Sequence, residues 1–246
     1  MQFQPEFTPL IDELTNTVKS GLKDNLHSLY VYGSIANGTA VAGRSNLDVV
    51  FVMSRKGHKA LDTFINTLKW RLMNRFPSIT GVSIKVTSLA EVLTLESIFS
   101  WGFLIRQNCT CLTGDDLSES FGDFEPSWEI SKYWNWNILD YIPEYRIKIA
   151  QAKTAELQVS YQQVIAKKML RASYGLVMHK EKLWLDSPLD CARIFLKYHP
   201  EKSKDIQRLA ILLGNKTIPK RSVISILDIY GTWLCKAYKK TEFRIG

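Results

Sequence analysis

A change in hydrophobic period near residue 125 constrains this chain more than any other feature. Before it, short apolar runs alternate with helical spacing. Leu10, Ile11, Leu14, Val18 and Leu22 recur at the helical period across 7–24. Leu29-Tyr30-Val31-Tyr32 and the run from Leu47 to Met53 are β-prone and of strand length. Leu61, Phe64, Ile65, Leu68 and Leu72 predict a helix over 57–76, closed by Pro77. Val82, Ile84 and Val86 then alternate with Ser83, Lys85 and Thr87, which predicts a strand with one polar face. A helix over 89–106 and a short edge strand from Cys109 to Leu112 complete the first half. Beyond Phe124-Glu125-Pro126 only helical spacing remains, over 128–150, 153–180, 188–197, 201–213 and 219–240. Pro188, Pro200 and Pro219 fall where helices start or have just ended, as the missing N–H of proline requires. The expectation is an α/β domain over 1–125, then an all-α helical bundle domain over 126–246.

Charge divides at the same place. Residues 1–125 hold 11 of the 32 Lys+Arg and 13 of the 24 Asp+Glu, a net of −2, leaving 21 and 11, a net of +10, for residues 126–246. Such asymmetry points to two regions with different tasks, the competing explanation being lysine-rich solvated helix faces. At 246 residues the chain can bury a real core. No apolar run reaches the roughly 20 residues that cross a bilayer. The start, MQFQPEFTP, lacks the basic-then-apolar pattern of a secretory signal. Cys109, Cys111, Cys191 and Cys235 match neither zinc nor disulfide spacing and read as free thiols. A cytoplasmic protein without membrane association is expected.

Chemistry concentrates in LYVYGSIANGTAVAGRSNLDVVFV, residues 29–52. A buried strand delivers Gly33-Ser34 to a tight turn, where backbone N–H groups and a hydroxyl can hold phosphate oxygens. Glycine permits the close approach that a side chain would block. The second strand then offers Asn46 and Asp48, two apart and so on one face. Oxygen ligands placed there suit Mg²⁺ bridging a triphosphate.

A strand, Gly-Ser, about ten residues, then a polar pair alternating with hydrophobics on a second strand resembles the signature of the polymerase-β-like nucleotidyltransferases. Ile35-Ala36-Asn37-Gly38 is similar to the family's continuation, although Asn37 stands where a basic residue is common. The stretch Leu-x-Gly-Asp-Asp-Leu at 112–117 is also similar to one in these proteins. The order of a catalytic-type domain and then a helical one resembles small bacterial aminoglycoside-type nucleotidyltransferases. The resemblance implies a mixed-sheet nucleotidyltransferase fold and an NTP, ATP first, bound through Gly33 and Ser34. It places Mg²⁺ at Asn46 and Asp48, and implies transfer of NMP to the hydroxyl of an acceptor.

The pattern departs from the family in two places. Asn46 replaces the first aspartate, keeping an oxygen but no charge. The next strand, where the family's third carboxylate normally stands, offers Ser83, Lys85 and Thr87 and no acid. Metal-assisted phosphoryl transfer depends on those charges. Two readings follow. One is an enzyme in which Asp48 acts with a base from elsewhere, such as Glu91, Glu96 or an acid of the helical half. The other is a pseudoenzyme that keeps a nucleotide pocket, with Lys85 standing in for part of the metal's charge.

In the helical half, Lys167-Lys168-x-x-Arg171 with Tyr174 lies on one helix. Lys167 and Arg171 are candidates to border a nucleotide held between the two domains, against the alternative of a solvated face. Further lysines and Arg221 could extend a patch for RNA, a weaker reading that no nucleic-acid motif accompanies. His27, His58, His179 and His199 show no metal-ligand spacing. The Trp128–Trp136 aromatic cluster, with Tyr141 and Tyr145, is read as packing.

Overall fold

The computed structural model describes residues 3–55, 60–185 and 187–240; His58 lies outside them. The chain forms two compact units, Met1–Phe124 and Glu125–Gly246.

The first unit is built on a four-stranded mixed sheet. Helix α1 (Thr8–Leu22) leads into β1 (Leu26–Tyr32) and β2 (Ser45–Met53). Helix α2 (Leu61–Arg75), β3 (Ile79–Ser88), the short α3 (Leu89–Val92), α4 (Phe103–Asn108) and β4 (Cys109–Gly114) follow. The order across the sheet is β3-β2-β1-β4. β1 runs antiparallel to both β2 and β4, and β2 runs parallel to β3 through α2. Strand alternation separates two faces. Leu29, Val31, Leu47, Val49, Phe51 and Met53 point to one and pack with Leu10, Leu14 and Val18 of α1 and Leu68 and Leu72 of α2. That face carries the main core, at about 25 cal/mol for each Å² of apolar surface removed from water. Tyr30, Tyr32, Asp48, Ser83 and Lys85 occupy the opposite face. The segment after β3 covers part of it: Tyr30 is fully buried, and its hydroxyl accepts from Leu117 N–H at 2.7 Å.

The strands and the two long helices fall where hydrophobic period places them; 57–59 of the expected second helix lie outside the described residues. The 89–106 segment is not one helix. It divides into α3, a 3₁₀ turn at Leu95–Ser97, a π turn at Ile98–Gly102, and α4. Hydroxyls explain the break. Ser88 Oγ accepts from Glu91 N–H at 3.3 Å, Thr94 Oγ1 donates to the Glu91 carbonyl at 3.0 Å, and Thr94 also bonds Ser97 Oγ at 2.9 Å. These local bonds offer the backbone an alternative to the helical ladder.

The second unit is all helical: α5 (Trp128–Asn135), α6 (Ile138–Gln151), α7 (Ala155–Gly175), α8 (Met178–Glu181), α9 (Pro188–Tyr198), α10 (Ser203–Ile211), α11 (Lys220–Ile226) and α12 (Thr232–Lys240). The expected 128–150 helix is two, parted at Trp136 and Asn137, with Pro143 tolerated inside α6. The expected 219–240 helix is one run whose middle, Leu227–Gly231, is a π turn. Helix α7 is the hub, buried along most of its second half and packed by α5, α6, α9, α10 and α12. Its buried Gln158 and Gln162 are not wasted polarity. They donate to the carbonyls of Ile218 and Lys216 and so pin the loop before α11. No helix among the described residues is long and apolar enough to cross a membrane.

Candidate nucleotide site

The Gly33–Ser34 turn begins where β1 ends. Gly33 has φ +77°, a left-handed conformation that side chains disfavour. A β-carbon there would lie 2.9 Å from Asp48 Oδ2. Glycine is thus required twice, by the backbone and by the carboxylate beside it. Asn37 N–H donates to the Gly33 carbonyl at 3.0 Å and Thr39 N–H to the Ser34 carbonyl at 2.9 Å, closing a single helical turn. Among the described residues, the amides of Ser34, Ile35 and Ala36 stand outside this backbone network. Ile35 is buried in the main core, and the side-chain amide of Gln4 bonds both the N–H and the carbonyl of Ala40 at 3.2 Å. The turn is therefore anchored at both ends.

Asp48 is the second component. In register it faces Tyr32 on β1 and Ser83 on β3. Ser83 donates to its carboxylate and Lys85 attracts it. Burial nevertheless wins and raises the carboxyl above its ordinary pKa. Lys85, two residues along from Ser83 and on the same face, is exposed along its length, yet desolvation of its ammonium lowers it from the usual lysine value, against the pull of Cys109 and Asp48. Its ammonium sits 5.6 Å over the Tyr32 ring. Burial and the Asp48 charge push the Tyr32 phenol up to about 12. Burial, against the pull of Lys85, pushes the Cys109 thiol up to about 12.

Of the predicted residues, Gly33, Asp48 and Lys85 come together beside the turn that includes Ser34. Asn46 does not join their contacts. Between Ser45 and Leu47 the β2–β3 register slips by one residue, and the extra residue on β3 lies beside Asn46. Its side-chain carbonyl accepts from Thr80 Oγ1 at 2.9 Å and lies against Gly81. Glu91 and Glu96 are not among the groups acting on Asp48. Asp116 of the Gly-Asp-Asp stretch has a structural task. It accepts from Ser118 N–H at 3.0 Å and from the Tyr30 hydroxyl at 3.3 Å. Tyr32 and Ser83 are parts of the site that motif reading underweights; their signal was the period-two alternation that puts them on the Asp48 face.

Mg²⁺ fits these residues poorly. The ion demands several oxygen ligands, with charge to offset its dehydration. Asp48 is already solvated by Ser83 and countered by Lys85, Asn46 is engaged by Thr80, and a protonated thiol lies on the β4 side. Among the described residues no group of three or more His, Cys, Asp and Glu could hold a metal. Two like unit charges about 4 Å apart repel by about 4 kcal/mol at the effective dielectric of such sites, and a divalent ion doubles this. No chemical step is therefore assigned to a metal.

In the second unit, the basic cluster on α7 separates by role. Lys168 donates to the Trp134 carbonyl at 2.8 Å and lies over the Tyr141 ring, tying α7 to α5 and α6. Tyr174 is buried, its hydroxyl donating to the Leu183 carbonyl at 2.6 Å. Lys167 and Arg171 are exposed, one turn apart. The wider basic set is partly spent internally: Lys182 pairs with Glu125 at 3.3 Å, and Lys220 donates to the Ala150 and Ala152 carbonyls. Trp128 stacks on the buried Tyr238, and Tyr141 on Tyr145, consistent with packing.

No family model and no curated protein matches the chain. Among solved structures it is similar to the spectinomycin adenyltransferase AAD(9) from Enterococcus faecialis, determined with ATP and spectinomycin. Identity is 14 % and the TM-score 0.55, over 94 % of this chain and 98 % of that one. At that identity the likeness establishes the fold: a nucleotidyltransferase-type mixed sheet followed by a helical region.

Proposed function

We propose that this chain binds a nucleoside triphosphate, ATP first, at the Gly33–Ser34 turn. The carrying observation is the close approach of that turn to Asp48: a left-handed glycine, unable to accept a side chain, presents turn amides beside a half-buried acid that Lys85 attracts. Backbone N–H groups and the Ser34 hydroxyl would take phosphate oxygens, and Lys85 would offset their charge. The similar adenyltransferase was solved with ATP, which supports the choice of nucleotide.

Transfer of NMP from the bound NTP to a hydroxyl of a small acceptor is the second reading. What favours it is Asp48, a carboxyl of raised pKa and so a better base than an ordinary aspartate. What favours binding without transfer is the single acid and its lysine partner. Calorimetric titration of ATP and GTP tests the binding proposal, and absence of heat at millimolar nucleotide would overturn it. Incorporation of label from ATP into an acceptor would establish transfer. RNA binding has no comparable support, since two of its candidate lysines, Lys182 and Lys220, are engaged within the fold.

A further inference from the structure

We propose that Lys85 is the resident counter-ion of this site and that the chain binds its nucleotide without a divalent cation at Asp48. The inference rests on the nucleotide reading above and deepens it. Lys85 and Ser83 project from β3, a strand that carries no acid, on the same face as Asp48. The ammonium lies over the ring of Tyr32, the last residue of β1 before Gly33 and the cross-strand partner of Asp48. Asp48 Oδ2 lies where a side chain on Gly33 would stand, and Lys85 acts on that carboxylate. Charge that a metal would bring is thus already present in covalent form. The remaining oxygen candidate, Asn46, is held by Thr80 and Gly81. A lysine differs from a metal in one useful respect: it cannot be chelated away, so binding persists in excess EDTA.

The test is ATP affinity by calorimetry in excess EDTA and in millimolar MgCl₂, for the wild type, Lys85→Met and Lys85→Arg, with circular dichroism confirming that each variant folds. Wild-type affinity in EDTA is expected to equal or exceed that in MgCl₂, where Mg²⁺ partly neutralises the nucleotide, and Lys85→Met to lose about tenfold or more in EDTA, as expected when a charge-assisted bond is removed. Lys85→Arg, which keeps the charge, is expected to retain binding in EDTA. Mn²⁺ alone, followed by water-proton relaxation, is expected to leave the wild type unbound at submillimolar metal. Mg²⁺ tightening wild-type binding by about tenfold or more would overturn the proposal alone. So would Lys85→Met binding as the wild type does in EDTA, or Mn²⁺ binding that Asp48→Asn abolishes. Absence of ATP binding in both buffers would overturn the nucleotide reading and this proposal with it.

Discussion

Gly33 is where backbone and chemistry meet in a single residue, and it can be separated from its neighbours by comparison with Gly38. Both have positive φ, +77° and +69°, but only Gly33 has Asp48 against its missing side chain; around Gly38 there is open space. Gly38→Ala should therefore cost only the left-handed penalty, about 1–2 kcal/mol. Gly33→Ala should cost about 1–2 kcal/mol more than that, because the Asp48 carboxylate must shift or desolvate differently. Urea unfolding of the two variants measures the difference; equal losses would mean that the Asp48 contact carries no energy. Asp48 and Lys85 give a second residue-scale expectation, in pH. Burial raises the Asp48 carboxyl and Lys85 opposes that rise, so Lys85→Met should raise it further. A carboxyl whose folded pKa exceeds its unfolded one loses stability as pH climbs through the folded value. The deficit of Lys85→Met relative to wild type should accordingly grow as pH rises through and above the ordinary carboxylate range. A deficit that shrinks over that range would show that the pair is not coupled.

At the scale of elements, the helix α7 shows how three neighbouring cations take different tasks. Lys168 is part-buried and bonded to the Trp134 carbonyl, whereas Lys167 is exposed. Lys168→Met should destabilise by about 1.5–3 kcal/mol, the worth of a hydrogen bond to a charged group. Lys167→Met should stay within about 0.5 kcal/mol, as surface changes do. Thermal melts of both, compared at their midpoints, decide it. Adjacent positions on a helix face differently, which is why sequence spacing groups Lys167, Lys168 and Arg171 but cannot say which is spent on packing. Strands and long helices were legible because burial enforces period: Val49 and Phe51 had to face α1, and α7 had to bury one side. The Gly33–Asp48 pairing was legible for the same reason, since a strand end and a two-residue alternation fix both. Two local features were not. The hydroxyls of Thr94 and Ser97 break the 89–106 helix through competing side-chain bonds that leave hydrophobic spacing intact, while Ser88 caps its first turn. The register slip at Asn46 depends on cross-strand pairing, which no single strand's pattern records.

For the whole molecule, the net charge of the second half already sets its acids against its lysines, so what distinguishes these cations is how each is held. The second half carries a net +10, yet Lys148 pairs with Glu144, Lys182 with Glu125 and Lys197 with Glu181, and Lys220 caps backbone carbonyls. A diffuse field for a polyanion would draw on all of these lysines about equally, and single substitutions would each weaken binding slightly. A discrete anion site would draw on few. A discrete anion site on α7 itself predicts that Lys167→Gln and Arg171→Gln each weaken ATP about three- to tenfold, a modest loss because both are exposed. Lys182→Gln and Lys220→Gln should leave ATP affinity unchanged. Titrations at low and high salt complete the comparison. Few contacts predict a shallow dependence of affinity on salt, whereas a field of many lysines predicts a steep one, since each neutralised phosphate releases counterions. Equal losses across all four variants, with a steep salt slope, would instead identify the helical half as a general polyanion surface.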